Sequence, residues 1–284
     1  MLKLKSLTFF VLTFCTFTSC ARRFPLEGLV VAVRPELREV VVSHKAVDGW
    51  MPAMTMPFRV SPQQMAGLYP GARVDFEIEV TKSRTRVHKM KLIESALDGI
   101  KLDDGEALKL PPPESKVALG SIVPDFSLTD QSGNKTSLSD FRGRTVVINF
   151  IYTRCPLPDV CPRLSAGFAF LQKKFSQRIG TELILLTITM DPTYDTVPVL
   201  SNYAARWHAS KDGWRFLTGT KQQVAKVADY FGLIYWAEED SLVHSSVTSI
   251  LGRDGQLVAR VEGSRHSVTQ LADLVLNQLD GGKK

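Results

Sequence analysis

The sequence predicts two folded units in tandem, a small all-β unit followed by an α/β unit. Three observations predict this. Residues 26–95 hold short β-branched runs and no long helical pattern. From Ser121 onward, apolar runs alternate with stretches of helical period. Between them Asp98 to Gly120 is polar and contains Pro111-Pro112-Pro113, a semi-rigid polyproline spacer. At 284 residues the chain is long enough for two cores. Its formal charge is +6, but Lys3, Lys5, Arg22, Arg23, Lys283 and Lys284 at the two ends supply much of it. No basic patch is interleaved with aromatics, so nucleic acid is not an expected partner. Lys82, Arg84, Arg86 and His88 alternate as on the solvated face of a strand.

In order, residues 1–20 read as a targeting segment, with Lys3 and Lys5 ahead of an apolar core, Leu7 to Thr18, too short to span a membrane. It ends in Phe17-Thr18-Ser19-Cys20. That run resembles the lipobox of bacterial lipoproteins, with Phe17 in place of the usual leucine. The resemblance implies a lipidated Cys20 and an exported protein held on the periplasmic side of a membrane. The alternative is an ordinary cleaved signal with Cys20 spare.

Within residues 24–98, strands are expected at Gly28–Arg34, Glu39–His44, Met54–Val60, Arg73–Val80 and Arg86–Ile93, with a turn at Pro35-Glu36. Arg73–Val80 alternates polar and apolar throughout, so one face is buried. Five short strands suggest a closed or partly closed OB-like barrel. Residues 99–120 are the linker. Residues 121–284 open with a hairpin from Phe126 to Leu138, turning at Ser132-Gly133-Asn134. Strand Thr145–Tyr152, helix Pro162–Arg178 and strand Glu182–Met190 form a βαβ unit. Helix Pro198–His208, strand Trp214–Leu217 and helix Lys221–Phe231 follow. A hairpin of Ser246–Leu251 and Gln256–Glu262 and a last helix, Val268–Leu279, close the chain. A central βαβ followed by ββα is a thioredoxin-like order.

Chemistry concentrates in the loop after the first core strand. Cys155 and Cys161 flank Pro156 to Val160 there. Cys161 is placed like an N-cap and Pro162 like a first helical residue, so the macrodipole would favour thiolate at Cys161. Such a short loop would gain little from a purely structural disulfide, and its prolines suggest a shaped site. The next parallel strand delivers Asp191 to the same sheet edge, where ligand sites of open α/β sheets gather. Asp191 either tunes the site or satisfies backbone at the strand end. Asp195 and Thr196 read as helix caps. His244 comes just before a strand expected near the cysteine loop, and two thiolates with one imidazole make a soft set suited to copper. Zinc would prefer a fourth ligand. His208 and His266 read as surface residues.

Residues 115–284 resemble the Sco/SenC family of thioredoxin-fold copper chaperones. The matching motifs are Asp159-Val160-Cys161-Pro162, Asp191-Pro192-Thr193-Tyr194-Asp195-Thr196, and His244-Ser245 before a strand and an Asp-Gly hairpin. The resemblance implies that Cys155, Cys161 and His244 bind copper for delivery to the dinuclear copper centre of cytochrome c oxidase. The family has three residues between the cysteines, and this chain has five, Pro156 to Val160. The longer loop points towards a redox-poised pair. No proline follows Pro198, so the cis-proline of thioredoxin-type oxidoreductases is missing.

In the first unit Met51, Met54 and Met56 crowd into one short stretch, and Met54 and Met56 lie two apart on a strand, facing one way. Core packing is the plainer use of methionine. His44, however, closes the preceding strand, and the turn folds it back towards the methionines. Thioethers and imidazole are neutral, soft ligands for Cu(I) or Ag(I). Residues 26–95 are similar to the CusF-like periplasmic copper-binding family, whose Trp-Pro-Ala-Met-Thr-Met run stands here as Met51-Pro52-Ala53-Met54-Thr55-Met56. Met51 replaces the tryptophan that stacks over the metal. Trp50, one residue earlier, is expected to face the other way. The resemblance implies copper held by His44, Met51, Met54 and Met56. His88, on a charged strand face, is not included.

Together these readings describe a membrane-tethered extracytoplasmic copper chaperone serving a copper-containing oxidase subunit or another exported cuproenzyme. The alternative is a thiol–disulfide reductase that readies the oxidase cysteines for metal. A third reading is a module that only buffers copper.

Overall fold

The computed structural model describes residues 22–81, 85–93, 116–238 and 241–281. The signal-like segment with Cys20, most of the proline-containing linker, Lys82 and Arg84 lie outside the described residues.

The first unit is a five-stranded antiparallel sheet. Its elements are β1 (Arg22–Arg34), β2 (Glu39–His44), β3 (Met54–Arg59), a one-turn helix α1 (Pro62–Met65), β4 (Arg73–Val80) and β5 (Thr85–Leu92), in the spatial order β3-β2-β1-β4-β5. Strand β1 starts well before the expected Gly28, because its first half pairs with β4 and its second half with β2. Gly28 sits at the hand-over. A Cβ there would lie 2.4 Å from Val42 Cγ1, so only glycine permits the sheet to fold over itself at that point. The curled sheet encloses Leu26, Val30, Val42, Phe58, Phe76 and Ile78, with Phe58 edge-on to Phe76 at 5.0 Å. This is the small all-β barrel that the alternation predicts.

The second unit is a seven-stranded mixed sheet in the order β14-β13-β8-β9-β10-β6-β7. It consists of β6 (Ser127–Asp130), β7 (Lys135–Ser137), β8 (Thr145–Ile151), α2 (Cys161–Lys174), β9 (Leu183–Thr189), α3 (Val197–Arg206), β10 (Trp214–Thr218), α4 (Lys221–Phe231), β11 (Tyr235–Glu238), β12 (Ser241–His244), β13 (Val247–Leu251), β14 (Leu257–Glu262) and α5 (Val268–Leu279). β8, β9 and β10 run parallel, and every residue of β8 and β9 is buried, as strands covered on both faces require. The thioredoxin-like order holds, with one addition. The β11–β12 hairpin stands apart from the main sheet and pairs His244 with Tyr235.

The two units are docked through α5. Leu29 of β1 is fully buried in the core of the α/β unit. Arg260 of β14 donates its amide to Pro70 O at 3.2 Å, and a Cβ on Gly71 (φ +96°) would lie 2.2 Å from Arg260 O. His266, expected at the surface, is instead buried just before α5, where Arg163 donates to its carbonyl at 3.3 Å. Burial, then the Arg163 charge, hold its pKa down at about 4.

Two predictions follow from the docked interface. Gly71→Ala meets both a forbidden φ and a backbone clash, so unfolding by urea should show a loss of about 1–3 kcal/mol. For His266, the unfolded chain takes up its proton near pH 6.5 and the folded chain only near pH 4. Stability is therefore full above pH 6.5 and falls between about 6.5 and 4. His266→Gln should flatten that part of the pH profile; an unchanged profile would remove His266 as its cause.

Candidate metal centre

The cysteine loop is built from its base. Strand β8 ends at Ile151, and Thr153 then bends the chain outward. Its amide donates to Asp195 Oδ2 at 3.1 Å and its hydroxyl to Asp195 Oδ1. Thr189, the last residue of β9, also gives its hydroxyl to Asp195, and accepts the Asp191 amide at 2.9 Å. Asp195 is thus fully buried and held by three donors, with burial pushing its carboxyl pKa up. It is no helix cap: Thr196 is the N-cap residue of α3, and its side chain makes no capping bond. Asp191 pairs with Arg154, Nε to Oδ2 at 2.9 Å, and the Arg154 guanidinium lies over the Tyr194 ring at 4.9 Å. The segment after β9 therefore clamps residues 153 and 154, immediately before the first cysteine.

Past Cys155 the loop turns at Leu157–Val160 and enters α2. Val160 is the N-cap, so Cys161 is the first helical residue and Pro162 the second, one position later than the sequence suggests. The sulfur and nitrogen donor atoms of Cys155, Cys161 and His244 all lie within 4.8 Å of one another. The five-residue spacing does not keep the sulfurs apart, and both thiols are free. Cys161 Sγ is 3.8 Å from His244 Nε2. His244 Nδ1 lies 2.7 Å from Ser245 O, so Nδ1 carries the proton and the Nε2 lone pair faces the sulfurs. The Tyr152 ring meets His244 edge-on at 5.8 Å.

Charge within this pair is the reverse of the helix-dipole expectation. Cys161 is fully buried and donates its S–H to Cys155, so hydrogen bonding first and burial second push the Cys161 thiol up. The same hydrogen bond pulls Cys155 down to about 4. One thiolate, on the more exposed sulfur, is the resting charge. Burial, then that thiolate, raise Tyr152 to about 12. A cleft of about 290 Å³ lined by Tyr152, Cys155, Cys161, Tyr203 and Trp207 opens onto the pair. Two sulfurs and one imidazole with no carboxylate among them make a soft donor set, which fits copper.

A second set lies in the barrel. His44 ends β2 directly opposite Met54 on β3, and Met56 is opposite Val42. His44 is 1% exposed. Its Nδ1 is 2.6 Å from Lys45 O and so carries the proton, while its buried Nε2 has no partner. A buried nitrogen lone pair left open on the strand face it shares with Met54 and Met56 is what a soft cation would fill. Met51, bridged to Val47, and Met56 pack against the barrel core, while Met54 is 45% exposed. Trp50 stacks flat on Phe24 at 4.4 Å. His88 lies 3.4 Å from Glu79 on β5.

Comparison with known proteins matches the two units separately. The SCO1/SenC family model matches residues 115–278, and the model of the copper binding periplasmic protein CusF matches residues 23–92. A SCO1 protein homolog of Bacillus subtilis is 28% identical over 152 residues, 52% of this chain and 77% of that one. A mitochondrial SCO2 homolog of Bos taurus is 32% identical over 158 residues, 53% of this chain and 57% of that one. The Bos taurus relative is thus matched over little more than half its length. The crystal structure of Arabidopsis thaliana ScoI with copper bound superposes with a TM-score of 0.50 at 26% identity, covering 57% of this chain and 99% of that one. Since the SCO1/SenC model matches more than half of the chain, the chain belongs to the SCO1/SenC family, here with a CusF-like barrel in front.

Proposed function

We propose that this protein is an extracytoplasmic copper chaperone that takes up Cu(I) in its barrel and passes it to Cys155, Cys161 and His244 for delivery to a cuproenzyme. The convergence of those three side chains at one cleft carries the reading. The expected client is the dinuclear copper centre of cytochrome c oxidase. A solved relative, BsSco, 27% identical over 58% of this chain, is described as a member of the Sco family of cytochrome c oxidase assembly proteins. Tethering through a lipidated Cys20 would hold the chain beside that membrane client; among the described residues no helix is long and apolar enough to cross a membrane.

The donor chemistry gives the transfer a direction. His44, Met51, Met54 and Met56 offer neutral donors, so the barrel takes Cu(I) without releasing protons. At the second site the Cys155 thiolate meets the cargo first, at the cleft. Cys161 then gives up its proton to become a second anionic donor, and His244 Nε2 needs none removed. Two anionic sulfurs hold a soft cation more strongly than thioethers do, so copper runs from barrel to cysteine pair. Asp191 and Asp195 act on the loop, Asp191 through Arg154 and Asp195 through Thr153.

The low pKa and partial exposure of Cys155 favour a second reading, thiol–disulfide reduction. The Cys155 thiolate attacks a client disulfide and releases one client thiolate. Cys161 then resolves the mixed disulfide, so two electrons leave the pair and two client thiols form.

An anaerobic Cu(I) titration of the chain from Arg22 onward, against a competing chelator, separates the two. Two bound ions are expected, with Cys155→Ser and Met54→Ala each abolishing a different one. A single ion lost only with Met54→Ala would leave the cysteines as a redox pair and favour reduction. Asp195→Ala should leave the buried Thr153 and Thr189 donors unpaired and loosen the loop. It should weaken copper at the cysteine site about tenfold or more while sparing the barrel ion. Equal loss at both sites would mean general unfolding instead.

A further inference from the structure

One carboxylate of the α/β unit grips the barrel beside its candidate site. Ser43 and Thr55 face each other across β2 and β3. Both hydroxyls donate to the same oxygen, Asp273 Oδ2 on α5, at 2.8 and 2.7 Å. Gln270, on the first turn of α5, donates to Ser43 O at 2.8 Å in a buried bond. On one side of the Ser43–Thr55 rung lies His44 with Met54, and on the other Val42 with Met56. Side chains alternate along a strand, so the clamp grips the outer face while the candidate donors project from the inner one.

The clamp acts where the sheet is weakest. Among the described residues β3 is an edge strand, paired only with β2. Pro57, next to Met56, has no N–H to give the ladder. Phe58 anchors the far end of β3 in the barrel core, and at the rung between Met54 and Met56 the Asp273 bonds add a tie from the other unit. We propose that Asp273 is a positioning residue for the barrel's soft-metal site, so that the affinity of the barrel for Cu(I) depends on docking of the α/β unit. This rests on the reading of His44, Met51, Met54 and Met56 as donors. By linkage, metal in the barrel tightens the docking by the same factor.

The test uses the chain from Arg22 onward with Cys155→Ser and Cys161→Ser, and Ag(I) as a redox-inert probe measured by competition. Asp273→Ala should weaken Ag(I) about tenfold. The paired change S43A/T55V should do the same from the barrel side, which keeps the test valid if Asp273→Ala fails to fold. Asp273→Asn should retain most of the affinity, because an amide oxygen can accept both hydroxyls. Ag(I) should also slow amide exchange over residues 270–276 in the parent and no longer do so in Asp273→Ala. Unchanged affinity in Asp273→Ala and in S43A/T55V, with His44→Ala losing silver, overturns the proposal and leaves the barrel site standing. Silver binding that survives His44→Ala and Met54→Ala overturns the site itself, and the proposal with it.

Discussion

A buried carboxylate sets the shape of the cysteine loop. Asp195 lies out of water with no cation against it among the described residues, and is tolerated because three donors, two from Thr153 and one from Thr189, meet its oxygens. Those donors come from the ends of β8 and β9, adjacent parallel strands in fixed register. The bond network therefore ties the first turn of the loop to the rigid centre of the sheet. Everything downstream depends on that start: where Cys155 emerges, how far the loop must travel to reach α2, and which sulfur meets solvent. A loop of this length without such a root would hold two thiols at no defined separation.

The two candidate centres solve one problem by opposite electrostatics. Each histidine donates its Nδ1–H to the carbonyl of the following residue, Lys45 or Ser245, which leaves Nε2 open, facing the cysteine sulfurs at His244 and buried without a partner at His44. In the barrel the sulfurs are thioethers, so the unfilled site carries no charge and can be nearly dry. In the α/β unit one sulfur is an anion and the other a buried thiol hydrogen-bonded to it. A single shared proton keeps that pair from placing two negative charges side by side. A soft monovalent ion would be held less tightly by the neutral donors than by the anionic ones.

Helix α5 connects these two chemistries in the fold. It closes the α/β core through Leu271, Leu274 and Val275 and presents Gln270 and Asp273 to the barrel. Leu29 reaches from the barrel into the same core, and Gly71 lets the two backbones touch. The barrel is thus seated on the second unit rather than merely strung to it.

How much of this was legible follows from the range of the forces involved. Short-range pattern is written in the chain: the strict alternation of Arg73–Val80 and the strongly apolar runs that become β8 and β9. Residue chemistry is legible too, so the cysteine pair, His244, His44 and the methionine cluster stand out before any coordinates. The sequence alone determined the fold class, the soft character of both donor sets and the family resemblance. Tertiary structure decided the rest, because each remaining feature depends on residues far apart in the chain. Asp195 looks like a cap until β8 lies beside β9. His266 looks exposed until α2 and β13 pack around it. Cys161 looks like the thiolate until burial and the Cys155 sulfur outweigh a helix dipole. Asp273 looks like an ordinary surface acid of a helix until two hydroxyls from the other unit converge on it, more than two hundred residues away.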